Sequence, residues 1–156
     1  MRKSLEVGTW AILGAGLLTA AAAADEAKIP LGEVPKPVMA AFKAKFPKAT
    51  IKNAIKEEEA GKVTYEIESL VEGDMSIDAV LKPDGEFVAI ERQIKPSALP
   101  ANVTSVAKEK YPTGTVSKAE EVTSEGTISY EVTVKKADGK SVVLLFDKAG
   151  KFLKQE

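Results

Sequence analysis

The sequence predicts an α+β fold of two tandem repeats, each one short helix packed on a four-stranded antiparallel meander sheet. Three observations predict it. Residues 34–91 match residues 99–156 at a single offset without a gap. Each copy passes from apolar residues at helical spacing to apolar residues at every second position. Short glycine-containing turns separate the alternating runs, as antiparallel neighbours require.

The repeat is carried by landmarks rather than by bulk identity. Pro35 meets Pro100, Val38 meets Val103, and Lys43 and Lys45 meet Lys108 and Lys110. Phe46-Pro47 meets Tyr111-Pro112, Gly61 meets Gly126, Tyr65-Glu66 meets Tyr130-Glu131, Gly85 meets Gly150 and Phe87 meets Phe152. Of the 58 aligned pairs 14 are identical, and they fall together at turn glycines and core positions. A fixed period of this kind marks a duplicated supersecondary unit.

The elements follow in order. Residues 1–24 have a basic start at Arg2 and Lys3, an uncharged run from Ala11 to Ala24, and small residues before Asp25. This is the plan of a secretory signal, and the run is too short for the ~20 apolar residues of a membrane span. Residues 25–33 read as a loose leader. The first repeat occupies 34–93, a linker 94–98 and the second repeat 99–156.

In the first helix Val38, Ala41, Phe42 and Phe46 share a face, and Pro47 stops it. Its counterpart carries Val103, Val106, Ala107 and Tyr111. Val63, Tyr65 and Ile67 form an apolar row, followed by Ile77, Ala79 and Leu81, and then by Phe87 and Ala89. The second copy repeats the rows with Ile128, Tyr130 and Val132, with Val142, Leu144 and Phe146, and with Phe152. The first strand of each copy is less regular. Ile51 and Ile55 fall on one face and Ala54 does not fit, which a bulge would accommodate.

A unit of about 58 residues buries only about 60% of its unfolded surface, so one copy alone is marginal. The chain has no Cys to staple it. The two copies are therefore expected to form one body.

Composition removes several classes of function. With no His and no Cys, the Ser-His and Cys-His nucleophiles and the His/Cys zinc sites are excluded. Removing residues 1–24 takes the chain from 22 basic and 23 acidic residues to 20 and 22, a net charge of −2. Interspersed charge near neutrality argues against nucleic acid or an anionic membrane as partner. No cofactor, metal or catalytic residue is assigned.

Some stretches still call for weighing. Glu57–Glu59 and Glu120–Glu121 form acidic runs at strand ends, where charge on a solvated edge discourages aggregation. Glu66 and Glu131 follow the paired tyrosines on the polar side, and an acid–base pair would need them within reach of one substrate. Ser141–Phe146 reads as a strand apolar on both faces: Val142, Leu144 and Phe146 face the helix, and Val143 and Leu145 face away. Such a strand is covered on both sides, either by the other copy or by a partner protein. The first copy has Asp78 and Val80 at the matching positions.

The segments FKAKFP, GKVTYEIE and FDKAGKFLKQE resemble the PepSY-like, β-lactamase-inhibitor-like proteins, small exported bacterial proteins, over residues 34–156 in two copies. The resemblance implies tandem helix-plus-sheet units and, as in the best-studied inhibitors, a concave sheet surface that grips an enzyme. The sequence departs from those inhibitors in lacking disulfide cysteines and aromatic surface anchors. The expected function is a non-enzymatic, exported binding or regulatory module acting on an envelope protein or enzyme. Its partner-binding candidates are Glu66, Val80, Glu131, Val143 and Leu145. The alternative is a structural or small-ligand-binding envelope protein without a protein target.

Overall fold

A computed structural model describes residues 25–155, so the signal segment expected at 1–24 lies outside the described residues. The chain runs β1 (Asp25–Lys28), α1 (Lys36–Lys45), β2 (Thr50–Glu59), β3 (Lys62–Val71), β4 (Met75–Leu81), β5 (Phe87–Ile94), α2 (Ala101–Lys110), β6 (Thr115–Ser124), β7 (Thr127–Lys135), β8 (Ser141–Asp147) and β9 (Phe152–Gln155). One antiparallel sheet contains all nine strands in sequence order. Each copy is a helix followed by a four-stranded meander.

The duplication extends to the backbone. Bulges fall between Ile51 and Asn53 and between Val116 and Lys118, at equivalent sites. The hairpin turns Ala60-Gly61 and Glu125-Gly126 have positive φ at both residues, the geometry that continues the right-handed twist of the strands. Short 3-10 turns, Leu31–Glu33 and Pro96–Ala98, lead into the two helices.

Both helices lie on one face. Val38 and Phe42 of α1 pack with Ala54, Ile67, Ala79 and Leu81. Val103 and Ala107 of α2 pack with Ala119, Val132, Leu144 and Phe146. Tyr65, Tyr130 and Tyr111 flank these cores as expected. The copies join edge to edge, with Ala89–Ile94 of β5 paired to Ala119–Ser124 of β6. Ile90 belongs to the first core and Ile94 to the second, so apolar contact follows the hydrogen bonds across the junction.

Three details correct the alternation read from sequence. The first bulge turns Ala54 into the core, where it is buried, and puts Ile55 on the opposite face beside Glu66; Ile51 and Ile55 do not share a face. A second irregularity places Phe87 opposite Leu81 but Ala89 opposite Val80. Ala89 therefore leaves the helix-covered face and Ile90 takes its place. Residues Asp25–Lys28, read as leader, form an edge strand on β2.

The turn glycines differ in how much space surrounds them. At Gly85 φ is +91°, and an added Cβ would lie 2.7 Å from the Pro37 carbonyl oxygen. At Gly61 φ is +77° with open space around it. Left-handed backbone costs an L-residue about 1–2 kcal/mol. Gly61→Ala should therefore lose about 1 kcal/mol in urea denaturation, and Gly85→Ala about 2 kcal/mol or more, because α1 must also shift.

Candidate functional site

The register sorts side chains onto the face opposite the helices, called here the outer face. Opposite Glu66 stands Val80, which in turn faces Ala89. Next to this rung, Glu68 faces Asp78 and Asp78 faces Glu91. Across the junction Gln93 faces Glu120, Glu120 faces Glu131, and Glu131 faces Leu145. Thr133 faces Val143. All five sequence candidates thus lie on the outer face. Glu66 and Val80 sit in the first half, and Glu131, Val143 and Leu145 in the second.

This face is polar yet poorly exposed. Glu66 is 4% exposed, Glu91 6% and Glu120 2%, alongside Val80, Ala89, Val122 and Leu145. No helix among the described residues packs on these side chains; both helices belong to cores on the other side. Side chains on nine adjacent strands screen one another, so residues on this face are buried without a helix over them. Leu145 is buried and Val143 half-buried. β6 and β7 separate β8 from the first copy, so the two halves do not stack face to face.

One expectation about the acids changes, and one condition set for them is not met. Glu120 does not sit on a solvated edge, because β6 is an interior strand paired on both sides. Glu66 and Glu131 do not come together either. Four strand steps separate β3 from β7, about 19 Å across a flat sheet at ~4.8 Å per strand. Paired-carboxylate mechanisms use separations under about 10 Å. The carboxylates that do converge are Asp78, Glu91 and Glu120, each with an oxygen within 4.8 Å of the others. Asp78 and Glu91 are direct neighbours across β4 and β5, and Glu120 comes from β6 on the diagonal.

The cluster has few donors. Asp78 Oδ1 accepts the Ser69 backbone N–H at 3.3 Å. Glu120 Oε1 meets Lys118 Nζ at 2.6 Å, an ion pair outside hydrogen-bonding orientation. Glu68 is held by Asn53 Nδ2 at 2.5 Å. Glu91 Oε2 is buried with no hydrogen-bond partner. Burial first, then the charges of Glu131 and Glu120, pushes the Glu91 carboxyl up to about 10. Burial and the charge of Glu57 push Glu66 up to about 8. For Asp78 burial outweighs the opposing Lys118 ammonium and raises it to about 6.

A second concavity lies on the helix side of the junction. Lys45, Ile90, Arg92, Glu121 and Thr123 line a cavity of about 300 Å³ between the two halves. Sequence reasoning missed it because Lys45 comes from α1, Arg92 from β5 and Glu121 from β6.

Raised carboxyl pKa values give stability a definite direction with pH. The folded state favours protonated Glu66 and Glu91, so their contribution is complete below the ordinary value of 4.5 and is lost as pH rises toward about 8 and about 10. Thermal stability should fall between pH 5 and pH 10. Glu91→Gln, which keeps the shape without the charge, should flatten that slope and raise Tm at pH 9 by about 5 °C or more. An unchanged slope would show that Glu91 is not held in its protonated form.

Comparisons with known proteins agree with this architecture. The family model described as "Putative beta-lactamase-inhibitor-like, PepSY-like" matches residues 22–82 and residues 70–154, once for each copy. Among solved structures the chain is similar to a "putative periplasmic" protein of Bacteroides eggerthii, at 22% identity over 80% of this chain and 89% of that one, with a TM-score of 0.66. A DUF2874 family protein of Bacteroides uniformis is similar at 18% identity over 78% and 88%, TM-score 0.63. A BLIP-like protein of Bacteroides fragilis is similar at 23% identity over 78% and 85%, TM-score 0.57. At these identities the likeness is one of fold. None of the curated proteins matches the sequence. With its two copies matched in turn, the chain belongs to the PepSY-like, β-lactamase-inhibitor-like family.

Proposed function

We propose that the protein is an exported, non-enzymatic binding module that holds an envelope protein against the outer face of its sheet. The carrying observation is the asymmetry of the two faces. One is filled by two helices, and the other offers Val80, Ala89, Val122 and Leu145 among Glu66, Asp78, Glu91, Glu120 and Glu131 with no covering element among the described residues. Apolar area surrounded by charge is the usual make-up of an interface. The excess of acidic groups favours a partner segment rich in Lys or Arg, whose cations would draw Glu66 and Glu91 into their charged form. Periplasmic relatives of the same fold and the signal-like plan of residues 1–24 support export.

The test is capture of a partner from periplasmic extract by the purified protein, with Val143→Asp and Glu131→Lys as variants. Both sites are half-buried, so both variants should fold, which circular dichroism would verify. Each should lose most of the captured partner, and raising salt to about 0.5 M should weaken capture by the wild type. A partner indifferent to both substitutions would place binding elsewhere.

The alternative of a small-ligand carrier finds support in the cavity between the halves, which Lys45 and Arg92 line together with Glu121 and Thr123. Two cations near one acid suit a small anion bearing a hydroxyl or amino group. Arg92→Ala should abolish binding of such a ligand and leave capture on the outer face untouched.

A further inference from the structure

We propose that Asp78, Glu91 and Glu120 form a calcium site at the junction of the two halves, with Lys118 as its displaceable counter-ion. Three oxygens no more than 4.8 Å apart all lie within about 2.8 Å of one common point, the separation divided by √3. Calcium takes oxygens at about 2.3–2.6 Å, so a small closure of the side chains completes the contact. Magnesium needs about 2.0–2.1 Å in a near-ideal octahedron, which would draw three strands inward. The ligand set is oxygen only, as a hard cation prefers.

An acidic cluster alone would prove nothing, since carboxylates often gather on surfaces. The distinguishing feature is Glu91. It is 6% exposed, contributes one of the three converging oxygens, and leaves Oε2 without a partner. A buried carboxyl oxygen without a donor has nothing to offset its desolvation, so the group rests protonated until a cation takes the place of the proton. Lys118 supplies one positive charge for three carboxyl groups, and it is committed to Glu120 at 2.6 Å.

Entry and exchange are available. The Lys118 side chain keeps 32% of its surface in solvent, and Asp78 is half-buried, so these two form the mouth while Glu91 and Glu120 form the floor. An arriving ion takes the place of the ammonium, which turns outward to water. With three protein carboxylates and water completing the shell, affinity falls in the range of extracellular calcium modules, about 0.1–1 mM. The site exists only because the copies are joined, since β4 and β5 bring Asp78 and Glu91 while β6 brings Glu120. The equivalents of Asp78 and Glu120 in the other copy are Val143 and Ile55, so there is one site per chain.

The experiment is calorimetric titration of the chelator-treated, purified protein with calcium chloride, and with magnesium chloride for comparison. Metal alone is the probe, so the outcome is independent of any protein partner. One calcium per chain is expected, with magnesium about tenfold weaker or more. Glu91→Gln and Asp78→Asn should each weaken calcium by about tenfold or more, and Lys118→Gln should tighten it. If one acid variant fails to fold, the other and Lys118→Gln decide. The assignment is overturned by the absence of calcium binding up to about 20 mM, by binding undiminished in the folded acid variants, or by Lys118→Gln leaving affinity unchanged or weaker.

Discussion

The pairing of β5 with β6 is the constraint on which the rest of the structure depends. Each copy alone is a helix on a short meander, below the size at which burial comfortably offsets chain entropy. Joining the copies through Ala89–Ile94 and Ala119–Ser124 turns two exposed strand edges into interior strands. It thereby satisfies backbone groups that would otherwise invite aggregation. The outer edges are left to β1 and β9, both only four residues long. The same junction brings Glu91 beside Glu120, and Arg92 beside Glu121. The acidic cluster on one face and the cavity of mixed charge on the other both arise where the copies meet.

The acids at this junction are costly as structure. Like charges directly across a ladder destabilise it, yet Glu68, Asp78 and Glu91 follow one another across three strands, and Glu120 faces Glu131 across two more. Hydrophobic replacements of similar volume would pack these positions without desolvating a charge. The second copy shows what such a solution looks like, with Thr133 and Val143 at the places of Glu68 and Asp78. Where a chain keeps buried acids although an apolar alternative stands in its own duplicate, local rules have been broken for a purpose outside folding.

Much of the fold was legible because its signals are local. Helix faces, turn glycines and the 65-residue offset between landmarks such as Tyr65 and Tyr130 depend on neighbours in sequence. Ala54 and Ala89 were harder to place because a bulge reverses the alternation, and a single inserted residue leaves no compositional trace. The outer-face assignment of Glu66, Val80, Glu131, Val143 and Leu145 followed from the period of two. The convergence of Asp78, Glu91 and Glu120 did not, because it depends on register across β4, β5 and β6. Glu120 in particular lies in a run of acids that resembles a solvated edge until β5 is placed beside it.

The two copies also divide the work of the outer face, and the division follows from their positions. In the first half the rungs from β3 to β5 carry Glu66, Glu68, Asp78 and Glu91, and in the second Leu145 and Val143 occupy the corresponding rungs of β8. A duplicated sheet offers two equivalent patches at first, and identical patches would favour a symmetric partner or a second copy of the chain. Divergence at the Glu68/Thr133 and Asp78/Val143 pairs, acidic in the first half and uncharged in the second, removes that symmetry. On the proposed binding role, such a surface would read a partner in one orientation only, with charge fixing the register at the junction and apolar burial at β8 adding affinity. The retained symmetry belongs to the helix side, where α1 and α2 fill equivalent cores, and where folding rather than recognition sets the requirement.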